Sequence, residues 1–287
     1  MSEPIHLRVM TRSDRAFADS LRAIAGWNQT LEDWQRFLQM EPDGCFVAEW
    51  EGKPAGTATT TTYGTDLAWI GMVLVHPDMR RRGIGKALLR HCIAYLKGRG
   101  IRCIKLDATP AGKLVYDQLG FKDEWTLRRW ATPMLAGKFG VGSFCTRLWD
   151  EDDTDYIDCF DTGAFGTSRW ALLERLTWQG ALAYLNLKPT GRINAIGLIR
   201  NGSQAAYLGP VVADCVDGAG AIIRTLLTPH ADKPIFWDIP DQNLGAVDLA
   251  DRLGFTPQRQ LTRMFLGENH CPGDPQRVFA IAAPEVG

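Results

Sequence analysis

The chain has 287 residues, of which 45% are hydrophobic and 23% charged, and its formal net charge is −1 at pH 7. This length corresponds to about two domains, and the composition excludes disordered, collagenous and coiled-coil proteins. Because the charges balance, any basic site must be local, which argues against a general nucleic-acid binder. No apolar run is long enough for a membrane helix and no signal peptide is recognisable, so a cytoplasmic protein without a membrane partner is expected.

Apolar or β-prone runs predict five strands in the first 110 residues: Ile5–Val9, Cys45–Trp50, Gly56–Tyr63, Leu67–Val75 and Ile101–Leu106. Three helical patterns lie between them: one from Ser13 to Ala25, one beginning at Thr30, and one from Ile84 to Gly98. The second and third strands predict an antiparallel hairpin. The last strand, helix and strand predict a parallel pair with a right-handed crossover. The expected fold class is therefore α+β (mixed α/β), with a mixed, mostly antiparallel sheet flanked by helices.

The two halves of the chain resemble each other. Val115–Phe121 matches Leu249–Phe255 at an offset of 134 residues, and Gly83–Gly85 matches Gly218–Gly220 at an offset of 135. Both glycine pairs precede an apolar helix face. The sequence therefore predicts two tandem copies of one fold. A glycine-rich linker at residues 137, 140 and 142 divides the chain into domains 1–135 and 136–287.

The cysteines and histidines give no sign of a metal site. The seven cysteines are odd in number and include no Cys-x-x-Cys pair. This pattern is typical of buried, reduced thiols and not of a disulfide framework or a zinc site. The five histidines do not complete a ligand set. No metal is expected.

Four cationic side chains and two glycines stand at the start of the helix that follows the strand Leu67–Val75. They are Arg80, Arg81, Arg82, Gly83, Gly85 and Lys86. A helix N-terminus has unpaired N–H groups and a partial positive charge, and glycine lets a ligand approach the main chain. The pattern matches neither the Walker loop nor the dinucleotide fingerprint. It predicts a site for a phosphate group.

At these residues the sequence resembles the GNAT superfamily of acyl-coenzyme A-dependent N-acetyltransferases. The family signature, Arg/Gln-x-x-Gly-x-Gly/Ala, is matched by Arg80, Gly83 and Gly85. The stretch from Thr109 to Phe121 is similar to the second cofactor motif, with Thr109 where the family usually has Asn and Gly112 where it has Ala. The resemblance covers most of residues 5–130 and, more faintly, the second half. One standard and one divergent GNAT domain in tandem resembles a known bacterial subgroup.

The resemblance implies an enzyme that transfers acetyl or a short acyl group from acetyl-coenzyme A to an amine, by direct attack in a ternary complex. Main-chain N–H groups of residues 81–86 would hold the pyrophosphate, and Val73–Val75 would pair with the pantetheine arm, the Val73 N–H polarising the thioester carbonyl. The cofactor-binding residues implied are Val73, Leu74, Val75, Arg80, Arg81, Arg82, Gly83, Ile84, Gly85, Lys86 and Thr109. A covalent route through Cys45 or Cys103 is not expected.

Tyr116 would be the catalytic acid that protonates the departing thiolate. A thiol has a pKa near ~8.5 and tyrosine one near ~10, so this proton transfer is expected to be roughly balanced. The general base is less determined, because Trp69 stands where some family members carry a catalytic Glu. Asp107 is the candidate, with capping of the following turn as the alternative reading and His76 as a third option.

Trp27 and Asn28 are expected to contact the acceptor, since GNAT proteins usually admit it near the loop between the first two helices. The acceptor itself, a small-molecule amine or a peptide, is not identified by the sequence, and monomer and homodimer both remain open.

The second half departs from the motif. At the offset of 135 its counterparts of the cationic residues include Cys215, Val216 and Asp217, and Ala250 replaces Tyr116. Residues 136–287 are therefore expected not to bind coenzyme A, and Asn243 is expected to cap a helix. Their role is either to complete the acceptor site or purely structural. For the whole protein, a non-catalytic acyl-coenzyme A sensor and a module for another nucleotide are the alternatives.

Overall fold

The chain divides into two units in the computed structural model, which describes residues 5–135 and 145–287. The first unit contains the described residues up to Lys122, together with Met264–His270 and Val286. The second contains the remainder of the described residues. The predicted glycine linker at 137, 140 and 142 lies outside the described residues. The division at 135/136 stays a prediction about the sequence copies, since the units themselves are not continuous in sequence.

In the first unit the strands follow the order β1-β2-β3-β4-β5-β12. Its elements are β1 (Ile5–Val9), α1 (Arg15–Ile24), α2 (Leu31–Met40), β2 (Cys45–Trp50), β3 (Lys53–Tyr63), β4 (Leu67–Val75), α3 (Ile84–Gly98), β5 (Cys103–Ala108) and α4 (Pro110–Gln118), with the end of β12 (Thr256–Gly267). Strands β1 to β4 pair antiparallel, and β4 pairs with β5 in parallel. The predicted mixed, mostly antiparallel sheet is confirmed.

The fifth strand begins two residues later than predicted. Gly100 has a φ of +81°, and the N–H groups of Gly100 and Ile101 donate to the carbonyls of Lys97 and Leu96. This is the hydrogen-bond pattern of a glycine-terminated helix. Ile101 therefore belongs to the end of α3, and β5 starts at Cys103.

The core of the first unit lies between the sheet and α3. Leu88, Leu89 and Cys92 of α3 pack with Phe46 of β2 and Ile70 of β4, and all five are at most 2% exposed. Burying large apolar side chains stabilises a fold by about 1.5–3 kcal/mol each. The α3 helix, and with it the basic segment at its N-terminus, is thus fixed to the face of the sheet.

In the second unit the strands follow the order β12-β6-β11-β10-β9-β8-β7, and β13 pairs with β10. Its elements are β6 (Lys122–Thr132), β7 (Thr146–Leu148), α5 (Thr154–Phe165), α6 (Trp170–Trp178), β8 (Leu182–Leu187), β9 (Ile193–Arg200), β10 (Ala206–Ala213), α7 (Val216–Leu227), β11 (Ile235–Pro240), α8 (Leu244–Arg252), most of β12 and β13 (Val278–Ala280). Strands β10 and β11 are parallel, and β8, β9 and β10 are antiparallel neighbours. The second half therefore has the strand–helix–strand unit of the first.

Counterpart strands explain why the units are discontinuous. Strand β6 follows α4, and β12 follows α8, each after a Leu-Gly-Phe sequence. Yet β6 pairs antiparallel with β11 and is counted with the second unit from Asp123 onward, whereas Met264–Gly267 of β12 are counted with the first. Each unit thus contains a strand segment from the other copy. Sequence periodicity cannot reveal such an exchange, because it fixes strand positions but not partners.

A shared ion pair gives further evidence for duplication. Arg8 donates two hydrogen bonds of 2.8 Å to the Asp14 carboxylate, and Arg147 donates bonds of 2.6 and 2.7 Å to Asp153. In both copies the arginine follows or ends a strand and the aspartate closes a capping box. The offset here is 139 residues (147 − 8 and 153 − 14). The offset of 134 to 135 found farther along the chain had hidden this pair.

We expect Asp14→Asn to lower the free energy of unfolding by about 1–2 kcal/mol at pH 7, because it breaks a doubly hydrogen-bonded ion pair. Arg8 lowers the pKa of Asp14 from its ordinary 3.8 to about 2. A depressed folded-state pKa contributes stability above pH 4, and this contribution disappears as the pH falls toward 2. Urea unfolding at both pH values should show a difference between variant and wild type only at pH 7. Asp19→Asn, which breaks the more exposed pair with Arg22, should change stability less; an equal loss would contradict the prediction.

The prediction of buried thiols is only partly correct. Cys45, Cys92, Cys103 and Cys271 are buried, but Cys159 and Cys215 are exposed, because they lie on helix surfaces that face solvent. Across residues 5–135 and 145–287 no cluster of three or more His, Cys, Asp or Glu side chains is arranged to hold a metal ion. No helix in the same ranges has the length and apolar character needed to cross a membrane.

Candidate active site

A cleft opens in the first unit where β4 and β5 separate. The two strands pair only from Leu67 to Trp69 on β4. Beyond this point Met72 has a φ of +50°, the register between β3 and β4 shifts, and the Thr57 hydroxyl donates to the Met72 carbonyl at 3.0 Å. A bulge of this kind bends a strand and redirects its edge. Among the described strands none pairs with the Val73–Val75 edge that faces away from β3.

The orientation of the main chain in this edge follows from one hydrogen bond. The His76 N–H donates to the Ala55 carbonyl on β3 at 2.9 Å. Because successive N–H groups of a strand point to opposite sides, Val75 and Val73 direct theirs into the cleft, and Leu74 directs its own toward β3. Val73 and Val75 are therefore the strand residues that can offer main-chain groups to a ligand. Leu74, also predicted to bind the cofactor, can contribute only its side chain.

The predicted phosphate site lies beside this edge. Arg81 and Gly83 have φ values of +61° and +84°, and α3 begins at the next residue. The first hydrogen bond along α3 runs from the Ala87 N–H to the Gly83 carbonyl, so the N–H groups of residues 84–86 are left for a ligand. A positive φ is strained for any side chain and free of strain for glycine.

The cationic side chains of this segment have few strong partners of their own. Arg80 donates to the Val75 carbonyl at 3.3 Å, the Arg82 guanidinium lies 5.1 Å from the centre of the Trp50 ring, and the Lys86 ammonium donates to Gln118 at 3.1 Å. Arg80, Arg81 and Arg82 are all exposed. Uncompensated positive charge therefore surrounds the N-terminus of α3, which is the arrangement that binds phosphate oxygens.

Tyr116 lies on α4 with its ring in the α3 core, 6.0 Å from the ring of Phe121. Burial raises the pKa of Tyr116 to about 12, so its hydroxyl is protonated at neutral pH. In the described part of the chain this hydroxyl makes no hydrogen bond to the protein. The proton is thus available to a ligand. The expected balance with a thiol is wrong, because burial makes Tyr116 a much weaker acid than free tyrosine.

Two residues of α4 shape the surroundings of Tyr116. Thr109, predicted to bind the cofactor, is the N-cap residue, and its hydroxyl accepts from the Gly112 N–H at 3.2 Å. A Cβ added at Gly112 would lie 3.0 Å from a ring carbon of Tyr116 and 3.3 Å from its hydroxyl. Glycine at this position, where the family usually has alanine, therefore makes room for the Tyr116 ring.

We expect Gly112→Ala to lower kcat about 10-fold without changing the binding of acetyl-coenzyme A, because the new methyl group displaces the Tyr116 hydroxyl by a few tenths of an ångström. Gly98→Ala on α3 is the matched control, since a Cβ there would contact nothing within 4 Å. Steady-state kinetics on both variants test this expectation. A normal kcat in Gly112→Ala would show that the position of Tyr116 is unimportant.

The remaining predicted residues are placed less decisively. Asp107 is partly buried near the end of β5, beyond the part paired with β4. Trp69 is fully buried and lies opposite Lys105. His76 accepts from the Asp78 N–H and so caps the turn that follows β4. Asn28 is buried and Trp27 half-buried in the connection between α1 and α2; their contact with an acceptor stays a prediction.

Sequence reasoning missed Thr57 and Met72, which form the bulge, and also Glu41. The buried Glu41 carboxylate accepts from the Thr62 hydroxyl at 2.7 Å, from the Tyr95 hydroxyl at 2.9 Å, and from Arg99. It thereby joins the end of α2 to β3 and α3. A single glutamate after a helix gives no sequence signal, whereas a threonine three residues before a small-residue strand bulge is equally silent.

Cysteine chemistry is unfavourable near the core of this unit. Cys45 and Cys92 are fully buried, and burial raises the pKa of Cys45 to about 12 and that of Cys92 as well. The thiolate is the nucleophilic form of cysteine. These two residues are therefore held as inert thiols.

The corresponding region of the second unit lacks the phosphate site. Only Asp214 and Cys215 separate β10 from α7, so the long basic segment between β4 and α3 has no counterpart, and the residues aligned with it by sequence form the first turn of the helix. Ala250 is buried at the position of Tyr116. Asn243 caps α8, as expected, by accepting from the Ala246 N–H at 2.9 Å.

Comparison with known proteins agrees with this geometry. Residues 14–121 match the acetyltransferase (GNAT) family and residues 157–280 match the acetyltransferase (GNAT) domain. The chain is 25% identical over 221 residues to the uncharacterized N-acetyltransferase YitH of Bacillus subtilis, which covers 77% of each chain. It is 33% identical over 150 residues to the mycothiol acetyltransferase of Acidothermus cellulolyticus, covering 45% of this chain and 43% of that one.

A solved structure shows the same fold over the whole length. The crystal structure of a candidate acetyltransferase from Pyrococcus horikoshii superposes with a TM-score of 0.85, covering 100% of this chain and 97% of that one at 22% sequence identity. At this identity the likeness concerns the fold alone. With a match to a GNAT family description in each half, the chain belongs to the GNAT acetyltransferase family, as a tandem of two GNAT domains.

Proposed function

We propose that the first unit transfers an acetyl or short acyl group from acyl-coenzyme A to an amine, by direct attack while both substrates are bound. The observation that carries this proposal is the open edge of β4 at Val73 and Val75, which lies next to the basic N-terminus of α3. An amide chain can pair with the first feature and a pyrophosphate with the second. These are the two chemical parts of coenzyme A that precede its thiol.

The coenzyme would supply the activated acyl group as a thioester. The N–H groups of residues 84–86 and the exposed Arg80–Arg82 side chains fit its pyrophosphate, because they are cationic or unpaired. The Val73 N–H points into the cleft and could donate to the thioester carbonyl, where negative charge develops during attack. A preorganised donor of this kind typically lowers a barrier by about 3–4 kcal/mol.

Tyr116 would act on the departing sulfur. A thiol has a pKa near ~8.5, well below the value of about 12 for Tyr116, so complete transfer of the tyrosine proton is uphill. Tyr116 would therefore stabilise the developing thiolate chiefly by donating a hydrogen bond. This role needs a protonated hydroxyl without a protein partner, and Tyr116 has both properties.

Asp107 is the proposed general base, because it lies on β5 where the strand leaves β4. An amine with a pKa near ~10.4 must lose a proton before it attacks. His76 is the alternative base, and its ring nitrogen already caps the turn after β4. Trp27 and Asn28 are proposed to contact the acceptor. A small-molecule amine is the favoured acceptor class, in keeping with the relative named for mycothiol.

The second half, residues 136–287, is proposed not to bind coenzyme A. The loss of the basic segment and of the Tyr116 counterpart supports this. One molecule of acetyl-coenzyme A per chain should therefore suffice for full activity. The enzyme would then have its cofactor chemistry in the first copy alone.

The proposal is tested by incubating the full chain with acetyl-coenzyme A and a panel of small amines, amino acids and peptides. We expect thiol release that depends on one class of amine, with an equal amount of acetylated amine detected by mass spectrometry. Small-molecule amines should be accepted in preference to peptides. Thiol release that is the same without any amine would indicate hydrolysis and would contradict the proposed transfer.

A further inference from the structure

The strand edge that is open in the first unit is covered in the second. In β10 the residues Val211 and Val212 pair antiparallel with Ala280 and Val278 of β13, and the Ala213 N–H donates to the Arg277 carbonyl at 3.0 Å. The chain thus supplies its own partner for this edge. Nothing in the sequence repeats predicted it, because β13 has no counterpart in the first copy.

The two edges are equivalent positions of the fold. The Asp214 N–H donates to the Asn194 carbonyl on β9 at 2.9 Å, just as the His76 N–H donates to Ala55 on β3. Ala213 is therefore the counterpart of Val75. In β10 the register also shifts between Leu208 and Val211, which corresponds to the bulge in β4.

The covering segment lies where β10 and β11 separate. These strands pair only from Ala206 to Leu208 on β10. Beyond that point the Ile281 N–H donates to the Asp238 carbonyl of β11 at 3.1 Å, and the indole N–H of Trp237 donates to the Phe279 carbonyl at 2.7 Å. The segment is therefore hydrogen-bonded on both sides, to β10 and to β11.

Asn243 completes this set of contacts. Its side-chain amide donates to the carbonyls of Gln276 and Val278, both at 2.9 Å, while its oxygen caps α8. Asn243 aligns with Thr109 at the offset of 134 residues. The amide group that a family-like asparagine offers at this position is thus used here to hold two peptide carbonyls.

We propose that the segment Gln276–Ile281 is a ligand in cis of the second unit and occupies the slot that corresponds to the open β4 edge of the first. The slot recognises an extended amide chain, and this chain is the protein's own. Val278, Phe279, Ala280 and Ile281 are at most 8% exposed, so the slot is filled by buried side chains as well as paired main chain. The second unit is closed to any external amide-containing cofactor for as long as the segment stays in place.

Hydrogen exchange of individual amides in the full chain tests the assignment, with acetyl-coenzyme A as the added probe. The N–H groups of Ala213 and Ile281 should be protected without ligand, and acetyl-coenzyme A should leave their exchange unchanged. Added protection at Val211 or Ala213 would overturn the proposal, because the segment would then have been displaced. Protection gained at Val73 and Val75 reports on the first unit alone, so failure of the proposed function would be seen separately.

A variant tests whether the segment can be detached. Asn243→Asp keeps a good N-cap for α8 but replaces the donating amide by an oxygen that faces two carbonyls. We expect exchange at Ala213 and Ile281 to become about 10- to 100-fold faster, corresponding to the loss of one or two buried hydrogen bonds. The neighbouring Asp214 N–H, bonded to Asn194 on the other side of β10, is the internal control and should not change.

Trp237→Phe is the second variant, because it removes only the indole N–H that donates to Phe279. It should also accelerate exchange at Ile281 and Ala213 more than at Asp214. Equal acceleration at all three positions, or none in either variant, would show that the segment is an ordinary strand of the sheet and would overturn the proposal.

Discussion

Replacing Tyr116 by phenylalanine should lower kcat about 100- to 10,000-fold while leaving the dissociation constant of acetyl-coenzyme A unchanged. The ring would still pack in the α3 core beside Phe121. Only the hydroxyl would be lost, and with it the hydrogen bond to the departing sulfur. Because this bond forms only as the thiolate develops, its loss should appear in kcat and not in binding. Steady-state kinetics and calorimetric titration on the same preparation separate the two quantities.

Tyr95→Phe is the matched control for this experiment. Tyr95 is also partly buried, but its hydroxyl donates to Glu41 at 2.9 Å, within the structural cluster that joins α2 to α3. Its removal should cost about 1 kcal/mol of stability and leave kcat nearly unchanged. If Tyr116→Phe retained full turnover, the assigned role of the hydroxyl would be wrong. Absence of turnover in the wild type, with binding intact, would favour the alternative of a non-catalytic sensor.

The sequence predicted most of the first unit because its signals are local. The strands Ile5–Val9, Cys45–Trp50 and Leu67–Val75 have the bounds that alternation and turn residues indicated. The start of α3 followed from Gly83 and its cationic neighbours. These features depend on residues close together in the chain, where periodicity and turn chemistry suffice.

The features that the sequence did not predict depend on distant residues. The bulge at Met72 needs the Thr57 hydroxyl from a neighbouring strand, and the pKa of Tyr116 depends on how deeply α4 is packed. The placement of β12 across both units and the pairing of β13 with β10 join segments that lie far apart. In the second copy the aligned residues Cys215–Asp217 were interpreted as a neutralised phosphate loop, but the loop itself is absent.

The charge and backbone of Gly83 provide the second large effect. We expect Gly83→Asp to weaken the binding of acetyl-coenzyme A at least 100-fold, because it puts a carboxylate at the N-terminus of α3, where the pyrophosphate is expected. Two unit charges 4 Å apart repel by about 4 kcal/mol at an effective dielectric constant of 20, and about 1.4 kcal/mol corresponds to a tenfold change in affinity. The φ of +84° adds backbone strain for any residue with a side chain.

Gly100→Asp separates strain and charge from the phosphate site. Gly100 lies past the other end of α3 with a φ of +81°, and a Cβ at either glycine would contact nothing within 4 Å. A negative charge stabilises a helix at its N-terminus and destabilises it at its C-terminus, so Gly100→Asp should lose at least as much stability as Gly83→Asp. Only Gly83→Asp should lose binding in a calorimetric titration, and the wild type should bind one molecule per chain. Equal weakening in both variants would mean that the loss reflects stability alone, and a site that survives Gly83→Asp would place coenzyme binding elsewhere in the chain.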